Sequence, residues 1–244
     1  MLSFTEIIID LLRSLETFLR DPVLLFLGSV VLGQYLVYQF LNKKFRSRDQ
    51  LILTGVIPHH QFSEKYTMAL QRFFGTRGKV ARLSSAYYVF GFGICTFLSI
   101  PIFISVLVNQ AITRLWIYLL ITAVMWFVDI AVFWLYPVGP PVRVSKNPEY
   151  NHFRAHYFPW SDKVIGIYHN ALPSGHIWSL VLFWVASLVE GMWEFFIFYS
   201  INLIIASFVI IYTGDHYPID IVASFLFVTG LYIFFWILIT SFGL

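Results

Sequence analysis

The stretch 195–241, FFIFYSINLIIASFVIIYTGDHYPIDIVASFLFVTGLYIFFWILITS, decides what kind of molecule this is. It holds no Lys, Arg or Glu, and its two carboxylates, Asp215 and Asp220, sit together near its middle. A helix needs about 20 apolar residues to cross the hydrocarbon of a bilayer. The stretch therefore reads as two spanning helices, 195–213 and 218–241, joined at Gly214-Asp215-His216-Tyr217. Pro218 suits the first turn of the second helix, where its missing N–H would have no partner in any case.

The same signal recurs upstream at 22–41, 87–108, 115–137 and 174–190, the last of these short. Only Glu190 and Glu194 interrupt the apolar character between the fourth and fifth segments, and Gly191 predicts a tight turn there. Residues 4–20 differ. Ile7, Ile8, Leu11, Leu12, Leu15, Phe18 and Leu19 recur at helical spacing between charged residues, and Ser3 with Glu6 resembles a capping box. That is the pattern of an amphipathic helix lying in the membrane interface. The expected architecture is all-α and polytopic: an interfacial helix over 1–21, then a membrane domain over 22–244 with six transmembrane helices and its core at 85–241.

Composition agrees. The 244 residues are 59% hydrophobic, 20% aromatic and 12% charged, against about 25% charged in soluble domains. A soluble fold of this size could not cover itself with so few charges. Cys95 is the single cysteine, so neither an intrachain disulfide nor a cysteine metal cluster is expected. Nothing calls for a nucleic-acid partner.

Two polar stretches, 42–86 and 138–173, hold 13 of the 16 Lys and Arg residues. With six spans both fall on one side, and the positive-inside rule places them in the cytoplasm with the termini outside.

By the same parity, three polar groups emerge on that side. Tyr136-Pro-Val-Gly-Pro-Pro-Val-Arg143 follows the third span, Pro173-Ser174-Gly175-His176 opens the fourth, and Asp215-His216-Tyr217-Pro218-Ile219-Asp220 opens the sixth. Ionisable groups at membrane depth are expensive and are functional candidates by default. A helix start offers unpaired amides and the positive end of a dipole, which bind phosphate. Gly175 lets an oxyanion approach the backbone, Ser174 adds a hydroxyl, and Arg143 can supply a bidentate fork. His216 and Asp220, four apart, can meet on one helical turn. The carboxylate would hold one ring nitrogen and leave the other free as a nucleophile. His176, on the neighbouring helix start, could protonate a leaving oxygen.

Pro173-Ser174-Gly175-His176 followed by His216-x-x-x-Asp220 resembles the type 2 phosphatidic acid phosphatase superfamily over roughly 85–241. The resemblance implies a six-span membrane enzyme acting on a lipid phosphate or phospholipid without metal or cofactor. It implies His176 as general acid, His216 as the nucleophile that becomes a phosphohistidine, Asp220 as its orienting carboxylate, and Ser174 and Gly175 as phosphate contacts.

Two departures bear on the reaction. The hydrolases usually carry Lys, six residues, then Arg-Pro; here Lys146 and Arg154 are separated by seven and Ala155 follows, which does not reproduce the pattern. They also carry an arginine six residues before the nucleophilic histidine, where this chain has Ile210. Pro140-Pro141-Val142-Arg143 instead resembles the inositolphosphotransferase-like branch, and Asp215 to Val222 resembles the sphingomyelin synthases. Hydrolysis of a lipid phosphate is the first expectation and headgroup transfer the alternative.

Other classes fit less well. A di-iron oxygenase would need about eight clustered histidines. The His152/His156 pair has metal-ligand spacing, but the seven histidines are mostly isolated. Ser174 lacks the flanks of a rhomboid-type protease serine. A non-catalytic transporter or scaffold would draw on Asp129 in the third span, which an interhelical hydrogen bond explains more simply.

Overall fold

The computed structural model describes residues 9, 12, 13, 16, 20–44, 59–99, 102, 105, 106, 109, 112–135, 153–161 and 174–242. Arg143, Lys146, His152 and Pro173 lie outside them, as do most residues of the expected interfacial helix. Among the described residues the chain is helical, with no strand. Its helices are α1 Pro22–Lys44, α2 His59–Phe74, α3 Lys79–Ala86, a π-helical turn Tyr87–Gly91, α4 Phe92–Phe97, α5 Ile112–Leu135, α6 Phe153–Tyr157, α7 Gly175–Val189, α8 Trp193–Thr213 and α9 Pro218–Ser241.

Thr113–Val132 within α5, all of α8 and all of α9 are long and apolar enough to cross a membrane. They coincide with the third, fifth and sixth expected spans. α7 is the hub, packing on α8, α9, α5 and α4, while α1 packs on α5. Nine of its fifteen residues are buried, which explains a helix apolar on every side. At about 1.5 Å per residue it is roughly 22 Å long, short of a bilayer's hydrocarbon thickness. It is sheathed by longer neighbours.

The turn expected after α7 is present. Gly191 has φ 68°, and the amide of Met192 donates to the Ser187 carbonyl at 2.9 Å. At that end Glu190 receives Arg114 at 3.0 Å and the Tyr118 hydroxyl at 2.9 Å, fastening α7 to the start of α5.

The second expected span begins differently. Helix starts at Lys79, eight residues before the expected 87, and reaches a turn at Leu98–Ser99. α3 buries Ala81, Ser84 and Ser85 and exposes Lys79, Arg82 and Leu83. It is an amphipathic entry to the apolar run, invisible to a search for uninterrupted hydrophobicity. Pro101 follows the turn in sequence and cannot donate to a continuing helix. Between α3 and α4 the π turn has Gly91 beneath the Tyr87 ring, and a Cβ there would stand 2.7 Å from it. The first polar stretch is therefore structured over 59–86. α2 packs on α8, with Gln71 Nε2 donating to the Tyr212 carbonyl at 3.1 Å and the Tyr212 hydroxyl donating to the Gly75 carbonyl.

Candidate active site

α8 ends in a Schellman turn. Gly214 takes φ 77°, its amide reaches the Ile211 carbonyl at 3.1 Å, and the Asp215 amide reaches the Ile210 carbonyl at 2.9 Å. Such a turn needs a left-handed residue, which glycine supplies without strain. It reverses the chain and delivers Asp215, His216 and Tyr217 to the start of α9. Pro218 opens α9 and Asp220 is its third residue. The Tyr217 amide donates to Asp220 Oδ2 at 2.7 Å, so the carboxylate caps the helix.

That same oxygen lies 3.4 Å from His216 Nδ1. His216 itself precedes the helix, so the pair does not share a helical turn as the spacing suggested. The cap fixes the carboxylate, and the extended Tyr217 brings the imidazole to it. Both side chains are buried. Burial first, then the negative charges of Asp220 and Glu64, pushes the Tyr217 phenol well above its ordinary range. Tyr217 therefore stays neutral beside the pair.

α7 starts next door. Ser174 is its N-cap, with its hydroxyl 3.4 Å from the Ile177 amide. Ser224, one turn beyond Asp220 in α9, accepts the Ser174 N–H at 2.9 Å and donates to the Asp220 carbonyl at 2.7 Å. One buried hydroxyl thus locks the two helix starts together. Ser224→Ala is expected to destabilise the protein by about 1–3 kcal/mol, because the buried Ser174 amide loses its partner. Turnover should fall about tenfold as the two helix starts loosen, on the scale by which small misplacements lower rates. Thermal unfolding and steady-state rates in detergent check both.

Gly175 and His176 follow the cap, where amides have no acceptor within the helix. Among the described residues a Cβ on Gly175 would meet nothing nearer than Trp178 Nε1 at 3.9 Å. Packing among the described residues therefore does not demand glycine there. The His176 ring lies against Phe92 at 4.3 Å and Tyr88 at 5.1 Å between centroids, and meets His216 edge-on at 5.9 Å. Its Nδ1 is buried with no hydrogen-bond partner among the described residues. Tyr88 belongs to the π turn and Phe92 follows it, in keeping with the frequent placement of such turns at functional sites. Trp178, two residues on, donates to Asp129 Oδ2 at 3.1 Å. That bond gives the mid-span acid Asp129 its interhelical role.

The structure brings His216, Asp220, His176, Ser174 and Gly175 together; Arg143 lies outside the described residues. It adds one residue that sequence spacing missed. Arg154, on the five-residue α6, is only 2% exposed. Its Nη2 pairs with Asp215 Oδ1 at 3.0 Å, and its guanidinium lies over the Tyr88 ring at 4.2 Å. The only sequence signal is an arginine in a polar stretch at imperfect spacing from Lys146. Ile210 is fully buried, its carbonyl accepting from the amides of Asp215 and His216. A guanidinium thus enters from α6, while position 210 contributes backbone.

Among the described residues no group of His, Cys, Asp and Glu could hold a metal ion. The family model described as the PAP2 superfamily matches residues 61–234, which is most of the chain. The chain belongs to the PAP2 superfamily. No curated protein and no solved structure matches it significantly. Membership in the PAP2 superfamily points to a phosphatase-type enzyme of lipids, consistent with helices apolar enough to span a membrane. The matched range contains α6 as well as the starts of α7 and α9, so Arg154 falls inside the family region with the two histidines.

Proposed function

We propose that this protein cleaves a P–O ester bond of a membrane lipid phosphate or phospholipid through a phosphohistidine on His216, with water as the acceptor. The observation that carries the reading is the His216 Nδ1 to Asp220 Oδ2 contact at 3.4 Å, with the His176 ring 5.9 Å away. Nδ1–H faces the carboxylate, which leaves Nε2 to attack phosphorus. As the P–N bond forms, the P–O bond to the leaving group breaks, and the departing oxygen takes a proton from His176. The phosphorylated ring gains positive charge, which Asp220 offsets. Water then attacks phosphorus and gives a proton to His176 while the P–N bond breaks, which restores both histidines.

The amides of Gly175 and His176, the Ser174 hydroxyl and Arg154 are the proposed phosphate cradle, with Arg143 as a further candidate. The planar guanidinium of Arg154 is a fork suited to phosphate oxygens. These groups supply the charge neutralisation that phosphoryl transfer needs, so no cofactor or metal is invoked.

A second reading, transfer of the phosphoryl group to an alcohol, is favoured by the apolar Ile210 where the hydrolases carry arginine. One experiment covers both. Purified protein given a donor lipid labelled at phosphorus should form an acid-labile, base-stable phosphoprotein. Free phosphate from a monoester donor, or the released phosphomonoester from a diester donor, supports hydrolysis, and a new labelled lipid in the presence of an added alcohol supports transfer. Turnover with no phosphoprotein under rapid quench would count against the intermediate.

A further inference from the structure

The charge balance around the nucleophile bears on which phosphate esters can enter, an inference that rests on the reading of His216 as nucleophile. Arg154 does not present its charge alone. Asp215, the residue immediately before His216, stands 3.0 Å from Arg154 Nη2 and is itself more than nine-tenths buried. Its second oxygen, Oδ2, is buried and has no hydrogen-bond partner among the described residues. The ionisable groups described around this point come from five helices and the turn before α9. They are Glu64 on α2, Arg154 on α6, His176 on α7, Asp220 on α9 and Asp129 on α5, with Asp215 and His216 in the turn. Asp129 is held by Trp178. Four carboxylates therefore share this region with a single described guanidinium, and Ile210 adds no charge.

We propose that Asp215, by neutralising Arg154, makes this site select monoanionic phosphodiester lipids over dianionic phosphate monoesters. A monoester brings a second negative charge to within a few ångströms of a buried carboxylate. At the partial screening of protein interiors, one such like-charge contact lowers affinity by roughly tenfold to a hundredfold. A diester carries one charge and avoids that contact. Its esterified oxygen replaces the anionic oxygen that Asp215 would repel.

The test uses the full chain in neutral detergent with two dilute donors on the same diacylglycerol: phosphatidic acid as the monoester and phosphatidylmethanol as the diester. Consumption of each gives kcat/KM. The diester-to-monoester ratio cancels titrations of the enzyme that both donors share. In the wild type this ratio should exceed about ten at pH 8 and fall toward one as pH drops below the monoester's second ionisation, near 6. Asp215→Asn keeps the size of the side chain and a hydrogen bond to Arg154 but removes the charge, and should lower the ratio at pH 8 about tenfold. A wild-type ratio at or below one, flat with pH, would overturn the proposal without any variant. So would Asp215→Asn reducing both donors equally, since Asp215 would then only position Arg154. Shifts in melting temperature with each lipid read binding independently of turnover, and a larger shift with phosphatidic acid would also overturn it. His216→Ala separates the two layers. If it still consumes either donor, the phosphohistidine reading fails; if it is inert while Asp215→Asn leaves the ratio unchanged, only the charge selection fails.

Discussion

His216→Ala is expected to lower turnover at least about 10,000-fold and to abolish the phosphoprotein, because removing a nucleophile leaves only binding and electrostatic stabilisation behind. The fold should survive the change. The turn that carries His216 is held by Gly214 in the left-handed region, by Pro218 at the start of α9, and by the Tyr217 amide on Asp220. None of these uses the imidazole. Asp220 loses one neighbour but keeps its backbone donor. The melting temperature in detergent should therefore stay within a few degrees of wild type while activity disappears. Activity above about one per cent in the purified variant would assign the nucleophile elsewhere, and His176, at 5.9 Å between ring centroids, would be the first alternative.

Arg154→Ala should produce the second large effect, and unlike the first it should appear in stability as well as rate. The guanidinium is buried against Asp215 and over Tyr88. Removing it leaves the Asp215 carboxylate buried without its countercharge, which typically costs about 3–5 kcal/mol. It also removes a donor from the phosphate cradle, which commonly lowers rates about 100- to 1000-fold. Arg154→Lys divides the two contributions. An ammonium can offset Asp215 and recover much of the stability, but it lacks the planar fork that reaches a carboxylate and a phosphate together. The lysine variant should melt closer to wild type than the alanine variant and still lose at least tenfold in kcat/KM. Near-wild-type kinetics in Arg154→Lys would reduce Arg154 to a structural countercharge.

Much of this was legible in the sequence because it is local. Apolar runs, Gly191, Gly214 and Pro218 mark where α7, α8 and α9 begin and end, and the observed limits of α9 are those read from the sequence. The closeness of His216 and Asp220 needs only four residues of chain. The reason for it was less legible: the contact comes from a helix cap that pins the carboxylate and an extended residue that swings the imidazole round to it. The amphipathic α3 is not legible as part of a span, because only its packing shows which face is buried.

The sequence by itself determined that this is an all-helical, membrane-type chain, and it determined which two histidines and which carboxylate to watch. Those properties follow from hydropathy and from turn chemistry, which act over a few residues. Only the tertiary structure decided that Arg154 faces Asp215 across 61 residues of chain, that Ser224 ties the start of α9 to that of α7, and that Tyr88 and Phe92 wall in His176. A buried charge is tolerated only where the fold brings it an opposite charge. That partner is fixed by how the helices pack, and no spacing in the sequence records it.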